Sequence, residues 1–253
     1  MLSRLIYFRF SLSIIIYAAI IHQANCQILL DLKKEFEKAN DYKEAILVFQ
    51  QYLGNHTAIF SGKSYSFNYK NIDGHPFLLS ENWKTGDIYI YDKIFYDTEI
   101  KLDIYDDVLL IRDTAHNNQS IILNDNLIKG FVFFERYFIN IRPEEFDIPQ
   151  IKEGFYELVY HEKSTVLIKH HKDIETKYKF GTDLNEEFVS STNYYIICQG
   201  IASIVNSKKA LIKALSKHNK EIKRFIKDNR IKYADQKLEN IVKIVRFYDS
   251  LDS

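Results

Sequence analysis

The stretch from Trp83 to Asp113, WKTGDIYIYDKIFYDTEIKLDIYDDVLLIRD, constrains the fold more than any other part of the chain. Tyr, Phe, Ile, Leu and Val fill three short runs, residue types that suit a pleated, half-buried surface. Only Asp92-Lys93 and Asp106-Asp107 separate the runs. Connections so short join antiparallel neighbours, because a parallel crossover needs about a dozen residues or more. Neither pair contains the glycine that makes positive φ easy, so either turn has room to be longer than two residues. Alternation adds a second constraint. Ile100, Leu102 and Ile104 face one way and Lys101 and Asp103 the other, one dry face and one wet face. Along 87–91, Ile88 and Ile90 oppose Tyr89 and Tyr91, which predicts a strand covered on both sides.

Similar β-type runs extend from about Ala58 to Val205. They predict strands at 58–61, 65–70, 76–79, 119–123, 127–134, 137–141, 154–160, 165–170, 192–198 and 201–205, besides those of the central stretch. Segment 172–191, KDIETKYKFGTDLNEEFVSS, is polar and irregular and reads as a long excursion. Helical spacing appears only outside this block. Leu32, Phe36, Ala39, Ala45, Ile46, Phe49 and Leu53 recur at three- and four-residue steps before it. After it, Ser207 is a suitable N-cap for a helix lined by Leu211, Leu215, Ile222, Phe225 and Ile226. Asp235 can cap a last helix carrying Leu238, Ile241, Val242, Val245, Tyr248 and Leu251.

The first 26 residues stand apart. Arg4 and Arg9 precede the apolar run Leu12–Ile21, and Ala24-Asn25-Cys26 supplies small residues for cleavage, the layout of a secretory signal peptide. Simple cleavage would leave Gln27 first. Lipidation of Cys26, giving an outer-membrane lipoprotein, fits less well, because Gln23 and Asn25 stand where a lipobox has an aliphatic and a small residue. With the signal removed, no segment is apolar and long enough to span a membrane as a helix. Cys198 is then the only cysteine, no internal disulfide is possible, and the fold must rest on its hydrophobic core. The expected organisation is a signal peptide (1–26), an N-terminal helical segment (27–57), an antiparallel β domain (58–206) and a C-terminal helical hairpin (207–253) packed on it.

Catalytic patterns are missing. There is no glycine-rich phosphate loop, HExxH, CxxC pair or GxSxG elbow. His170 and His171 are adjacent and would point to opposite faces of a strand, so they do not make a metal pair. Neither catalytic residues nor a cofactor are expected. Two low-specificity surfaces remain. His75, in the corner Gly74-His75-Pro76-Phe77, together with Trp83, Tyr89 and Tyr91 is the candidate ligand face, with sugar stacking as its chemistry and burial as the commoner fate of such aromatics. Lys213, Lys217, Lys220, Lys223, Arg224 and Lys227 form the candidate face for an anionic partner. Residues 207–232 hold ten Lys or Arg against Glu221 and Asp228 in a chain that is otherwise acidic. A solvated helix face is the plainer reading of that stripe. Nucleic acid is not an expected partner of an exported chain.

Several stretches together are similar to a group of uncharacterised exported proteins of Bacteroidota. They are Gly54–Tyr65, Gly74–Phe77, Trp83–Tyr96, Leu102–Asp107, Gly154–Tyr160, Tyr194-Tyr195, and a lysine-rich helix ending Tyr248-Asp249-Ser250-Leu251. The resemblance runs from about residue 54 to the end and implies export and one folded unit, with no activity attached. Members commonly have Gly where Lys93 stands and usually Gly at Glu162-Lys163, so those hairpins depart from the pattern. Asp113-Thr114-Ala115 and Asp249-Ser250-Leu251 resemble the short O-glycosylation pattern of exported Bacteroidota proteins.

The expected fold is α+β, a curved and mainly antiparallel sheet, extending to a partly closed barrel, with an N-terminal helix and a C-terminal helical hairpin. The expected function is that of an exported, periplasmic or extracellular, non-catalytic binding or structural protein of the cell envelope. A lipid or glycan carrier using a cavity between sheet and helices is the alternative, and an envelope protein, lipid or glycan is the expected kind of partner.

Overall fold

The computed structural model describes residues 62–91, 93–114, 117–142, 148, 150–179 and 183–251, with Lys34, Lys43, Glu44 and Leu47 before them. The signal peptide and, apart from those four residues, the N-terminal helical segment lie outside the described residues. The described strands build one mixed sheet. In chain order they are β1 Lys63–Ser64, β2 Ile72–Asp73, β3 Lys84–Ile90, β4 Lys93–Asp103, β5 Val108–Asp113 and β6 Gln119–Ile122. Then come β7 Ile128–Phe133, β8 Arg136–Ile141, β9 Gly154–His161, β10 Thr165–Lys179, β11 Asp183–Cys198 and β12 Ile201–Ile204. Three helices follow, α1 Lys208–Ala214, α2 Asn219–Asp228 and α3 Lys237–Leu251.

The spatial order is β1-β6-β5-β4-β3-β7-β8-β9-β10-β11-β12, with β2 added in parallel beside β11. All other pairs are antiparallel, as the short connections require. The stretch Trp83–Asp113 supplies β3, β4 and β5, and β3 lies between β4 and β7 well inside the sheet. The separate runs predicted at 94–96 and 99–105 join in one strand, β4, which ends at Asp103, and 104–105 belong to the following turn. The register shifts between Gly86 and Ile88, opposite Asp97 at φ 49°, and the Asp97 N–H donates to Asp87 Oδ1 at 2.9 Å. This is a bulge that looks like a break in the alternation. Gly86 belongs there because a Cβ would meet the Val132 carbonyl oxygen at 2.6 Å.

Partial closure into a barrel is corrected. The sheet is open, since β1 and β12 end the path without pairing to each other. It nevertheless bends far enough for the Lys172 N–H of β10 to reach the carbonyl oxygen of Ile104, just past β4, at 3.1 Å. One strap spans this bend. Within ten residues of β1, which pairs β6, the chain reaches β2, which pairs β11 near the other end.

Segment 172–191 is not an irregular excursion. β10 and β11 pair without interruption from Thr165–Ile197 to Lys179–Asp183. β9 covers only Thr165–Ile168 of β10, and β12 covers only Tyr195–Cys198 of β11. The outer part is therefore a two-stranded arm touched by β2 alone in ladder terms.

The two sheet faces bury separate clusters. Tyr89, Tyr96, Ile139, Tyr156, Leu158 and Leu167 belong to one, with Leu47 packed against it. Ile88, Ile100, Phe131, Phe133, Phe138 and Phe155 belong to the other. Towards β9–β11 the helices cover Tyr160, Val166, Ile196 and Cys198 with Leu211, Leu215, Ile222, Ile241 and Val245. The expected two-helix hairpin is also corrected. Leu215 leaves helical geometry (φ −94°, ψ 40°), a 3₁₀ turn occupies Ser216–His218, and the predicted first helix becomes α1 and α2. Leu215 and Ile222, on either side of the break, are both fully buried, so the bend keeps both pieces on the sheet.

Candidate functional site

Residues 65–69, YSFNY, place an aromatic ring at every second position. Alternation of that kind predicts a strand, yet this stretch has no ladder of its own. It is fastened at a few points. The Tyr65 N–H donates to the Ser120 carbonyl oxygen at 2.9 Å, the Tyr65 hydroxyl to Asp103 Oδ2 at 2.9 Å, and the Tyr69 hydroxyl to Asp106 Oδ2 at 3.0 Å. Asp103 is fully buried and also accepts the N–H groups of Tyr105 and Asp106 at 2.9 and 3.0 Å. Burial raises its pKa against the pull of those donors. Burial raises the Tyr65 hydroxyl too, and the Asp103 charge adds to the shift, so a phenol donating to a carboxylate is the stable arrangement.

The next segment turns at Gly74 (φ 87°) and runs back along the end of β4. The Leu78 N–H donates to the Leu102 carbonyl oxygen and the Ile104 N–H to that of Pro76. At the corner the Phe77 N–H donates to His75 Nδ1 at 3.2 Å, and the two rings stack with centroids 5.9 Å apart. Lys172 reaches over from the arm and donates to the His75 carbonyl oxygen at 2.5 Å. Burial, then the Lys172 charge, lowers the His75 pKa, favouring neutral imidazole. Lys101 holds its ammonium 4.7 Å from the Phe77 ring and 4.6 Å from the Trp83 ring, the separation of a cation–π contact.

The rings join into one surface. Phe67 stacks on Phe77 at 6.3 Å, Tyr69 meets Tyr105 and Phe188 edge-on at 5.5 and 5.3 Å, and Tyr105 meets Phe188 at 5.6 Å. Phe77 is buried, while Phe67 and Tyr105 are 42% and 38% exposed. The arrangement has a packed underside, open aromatic faces above it, and two cationic side chains, Lys101 and Lys172, along it. Flat apolar faces beside fixed hydrogen-bonding groups suit a ring-shaped, hydroxyl-rich ligand.

The candidate ligand face is therefore only half assembled. His75 and Trp83 come together, bridged by Phe77 and Lys101. Tyr89 does not join them, because it is 5% exposed within the first core cluster, where Lys129 lies over its ring at 5.0 Å. Tyr91 does not either. It is no strand residue but sits at the end of β3 with φ 53°, largely exposed, beside the closing pair Ile90–Lys93. Tyr65, Phe67, Tyr69, Tyr105, Phe188, Lys101 and Lys172 were not legible as a site. The YSFNY alternation carried a signal, but one that points to a strand, and Phe188 arrives only through the register of the arm.

All six cations of the proposed anionic face are exposed. Lys213 and Lys217 border a groove beside β12, whereas Lys220, Lys223, Arg224 and Lys227 lie on α2, with Arg224 Nε 3.5 Å from Asp228. Thr114 is exposed at the end of β5. Ser250 lies within α3, and its hydroxyl donates to the Phe247 carbonyl oxygen at 2.6 Å.

One arrangement imitates a catalytic relay. Ser191 Oγ lies 2.6 Å from His171 Nε2, and Asp173 Oδ2 lies 3.2 Å from the same nitrogen. Ser191 Oγ also lies 3.0 Å from His171 Nδ1, so it straddles both ring nitrogens, and Asp173 is 68% exposed, whereas a working triad has a buried acid on one nitrogen and the nucleophile aimed at the other. His170 pairs with Glu157 at 2.6 Å, and Arg136 approaches the same carboxylate at 3.4 Å, an ion-paired patch within the sheet. No cluster of three or more His, Cys, Asp or Glu suited to a metal ion occurs among the described residues. None of their helices is long and apolar enough to cross a membrane. Compared with known protein families, curated proteins and solved structures, the chain matches none.

Proposed function

We propose that the chain is an exported, non-catalytic binding protein of the cell envelope, and that its ligand is a glycan laid on the aromatic surface around Phe67, Tyr105 and Trp83. One observation carries the reading: rings from 65–69, 75–83, Tyr105 and Phe188, far apart in sequence, converge on a solvent-facing surface flanked by Lys101 and Lys172. Export rests on the N-terminal pattern and on the resemblance to exported proteins of Bacteroidota. The carrier alternative, with a lipid or glycan held between sheet and helices, has less support. Leu211, Leu215, Ile222, Ile241 and Ile244 fill that seam with no exposed surface.

The chain has one tryptophan, so its emission reports on this surface alone. Titration with envelope polysaccharide is expected to change Trp83 fluorescence saturably. The double substitution Phe67→Ala/Tyr105→Ala should weaken binding by roughly tenfold or more, on the scale of two lost stacking contacts. A flat Trp83 signal, with no retardation of the protein in polysaccharide-containing gels, would exclude the glycan reading.

A further inference from the structure

The arm formed by β10 and β11 has an edge that the rest of the described chain leaves open. β9 pairs with β10 only as far as Ile168, and the Lys172 N–H goes to the Ile104 carbonyl oxygen. On an extended strand every second residue turns its N–H and C=O to the same side, so those of Ile174, Thr176 and Tyr178 point outward with Lys172. Among the described residues no backbone bond reaches them from that side. Folded proteins blunt such an edge with charge. A run of one sign would repel every copy of itself, but Asp173-Ile174-Glu175-Thr176-Lys177-Tyr178-Lys179 changes sign at its middle.

We propose that two copies of this chain pair edge to edge through β10, antiparallel about a twofold axis at Thr176. Two conditions select the register. Hydrogen bonding sets outward-facing residues opposite one another, so even-numbered positions meet even-numbered positions. Charge then discriminates, because like charges directly opposite are destabilising. Centring the ladder on Asp173, Glu175, Lys177 or Lys179 sets a charge against its own copy. Centring it on Ile174 sets Asp173 against Glu175, and centring it on Tyr178 sets Lys177 against Lys179. With Thr176 at the axis, Glu175 stands opposite Lys177, Asp173 opposite Lys179 and Ile174 opposite Tyr178. Within one chain Glu175 faces another acid, Glu187, and the Lys177 ammonium is bonded to that same Glu187. The second copy places a base opposite Glu175, which the arm's own ladder does not. The paired stretch stops one residue short of Lys172, whose N–H is already taken. A ladder this short falls below the roughly 1,000 Å² of a stable interface, so the dimer is weak and forms with concentration. It uses none of Phe67, Trp83 or Tyr105, and its failure would leave the glycan reading where it stands.

Sedimentation velocity of the exported chain between about 5 and 500 µM should show a monomer–dimer equilibrium with a dissociation constant of roughly 10–500 µM. Thr176→Pro removes an outward N–H and no bond to β11, and it should leave a monomer throughout. Glu175→Lys and Lys177→Glu each set like charges opposite twice per dimer, and each should weaken association by at least roughly fivefold. The double exchange Glu175→Lys/Lys177→Glu restores opposite charges and should recover the parental affinity to within about twofold. A monomer at every concentration would overturn the proposal. Dimers that survive Thr176→Pro would place the contact on another surface and overturn it as well, and dimers indifferent to the single charge reversals would refute the register. Circular dichroism and thermal melting of the dilute variants separate lost pairing from lost fold.

Discussion

Asp249 shows how a single carboxylate fastens the end of the chain. It is 3% exposed in α3 and accepts the Ser164 N–H at 3.0 Å, the Ser164 hydroxyl at 2.6 Å and the Tyr160 hydroxyl at 3.0 Å. The Lys163 ammonium adds a bond to the Asp249 carbonyl oxygen. The last helix is thereby locked to the turn between β9 and β10. Asp249→Ala would leave a buried N–H and two hydroxyls without their acceptor, at a cost of about 2–4 kcal/mol. Urea unfolding should show the loss as an earlier midpoint with little change in slope, and an unchanged midpoint would refute it. His75 gives a pH signature. Its pKa is lowered from 6.5, so the unfolded chain binds the proton more readily. The stability this contributes is complete above 6.5 and is lost as pH falls from there through the lowered value. Thermal midpoints measured from pH 7.5 down to pH 5 should therefore fall more steeply for the parent chain than for His75→Gln, and parallel curves would count against it. At the same scale, Gly154 (φ 129°) admits no other residue, since a Cβ there would run into the Asp107 carboxylate that binds Lys169 at 2.5 Å.

Elements with one wet and one dry face were readable from alternation, and those without were not. Ile100 and Leu102 behave as their spacing predicts, buried on the core side of β4, and Ile104 is buried just past its end. Asp103, expected on the wet face, is instead fully buried against Tyr65. The outer arm defeated the same reading. Between Lys172 and Ser191 only Ile174, Val189 and Phe188 are apolar among the side chains described, and opposite Glu175 stands Glu187. A ladder held chiefly by backbone hydrogen bonds leaves no hydrophobic period in the sequence. The candidate site was lost for a related reason. His75 and Trp83 stood out as unusual residues, but Lys101 reads as an ordinary wet-face lysine until Phe77 and Trp83 are placed beneath it. Because β9 and β12 cover only the inner ends of β10 and β11, backbone amides of 173–179 and 183–189 should exchange with deuterium well before those of β3, β7 and β8. Uniform protection along β10 would contradict this division.

At the scale of the whole molecule, an open sheet differs from a barrel in having two ends to manage. Edge β1 is only two residues long, which limits its use as a template. The other edge, β12, is four residues and carries the groove. The bend that brings Ile104 to Lys172 is maintained by the strap running from β1 to Leu78, and the aromatic surface is built on that strap. Order of synthesis then matters. Residues 63–73 leave the ribosome early, yet their pairing partners are Ile121 and Ile122 for β1 and Glu186 and Glu187 for β2. These are contacts of long sequence separation, the kind that form late because the intervening chain must be ordered first. Phe188 follows directly after those last partners. A nascent or truncated chain lacking β11 thus lacks Phe188 and the pairing that anchors β2, so the aromatic surface is complete only in the finished molecule.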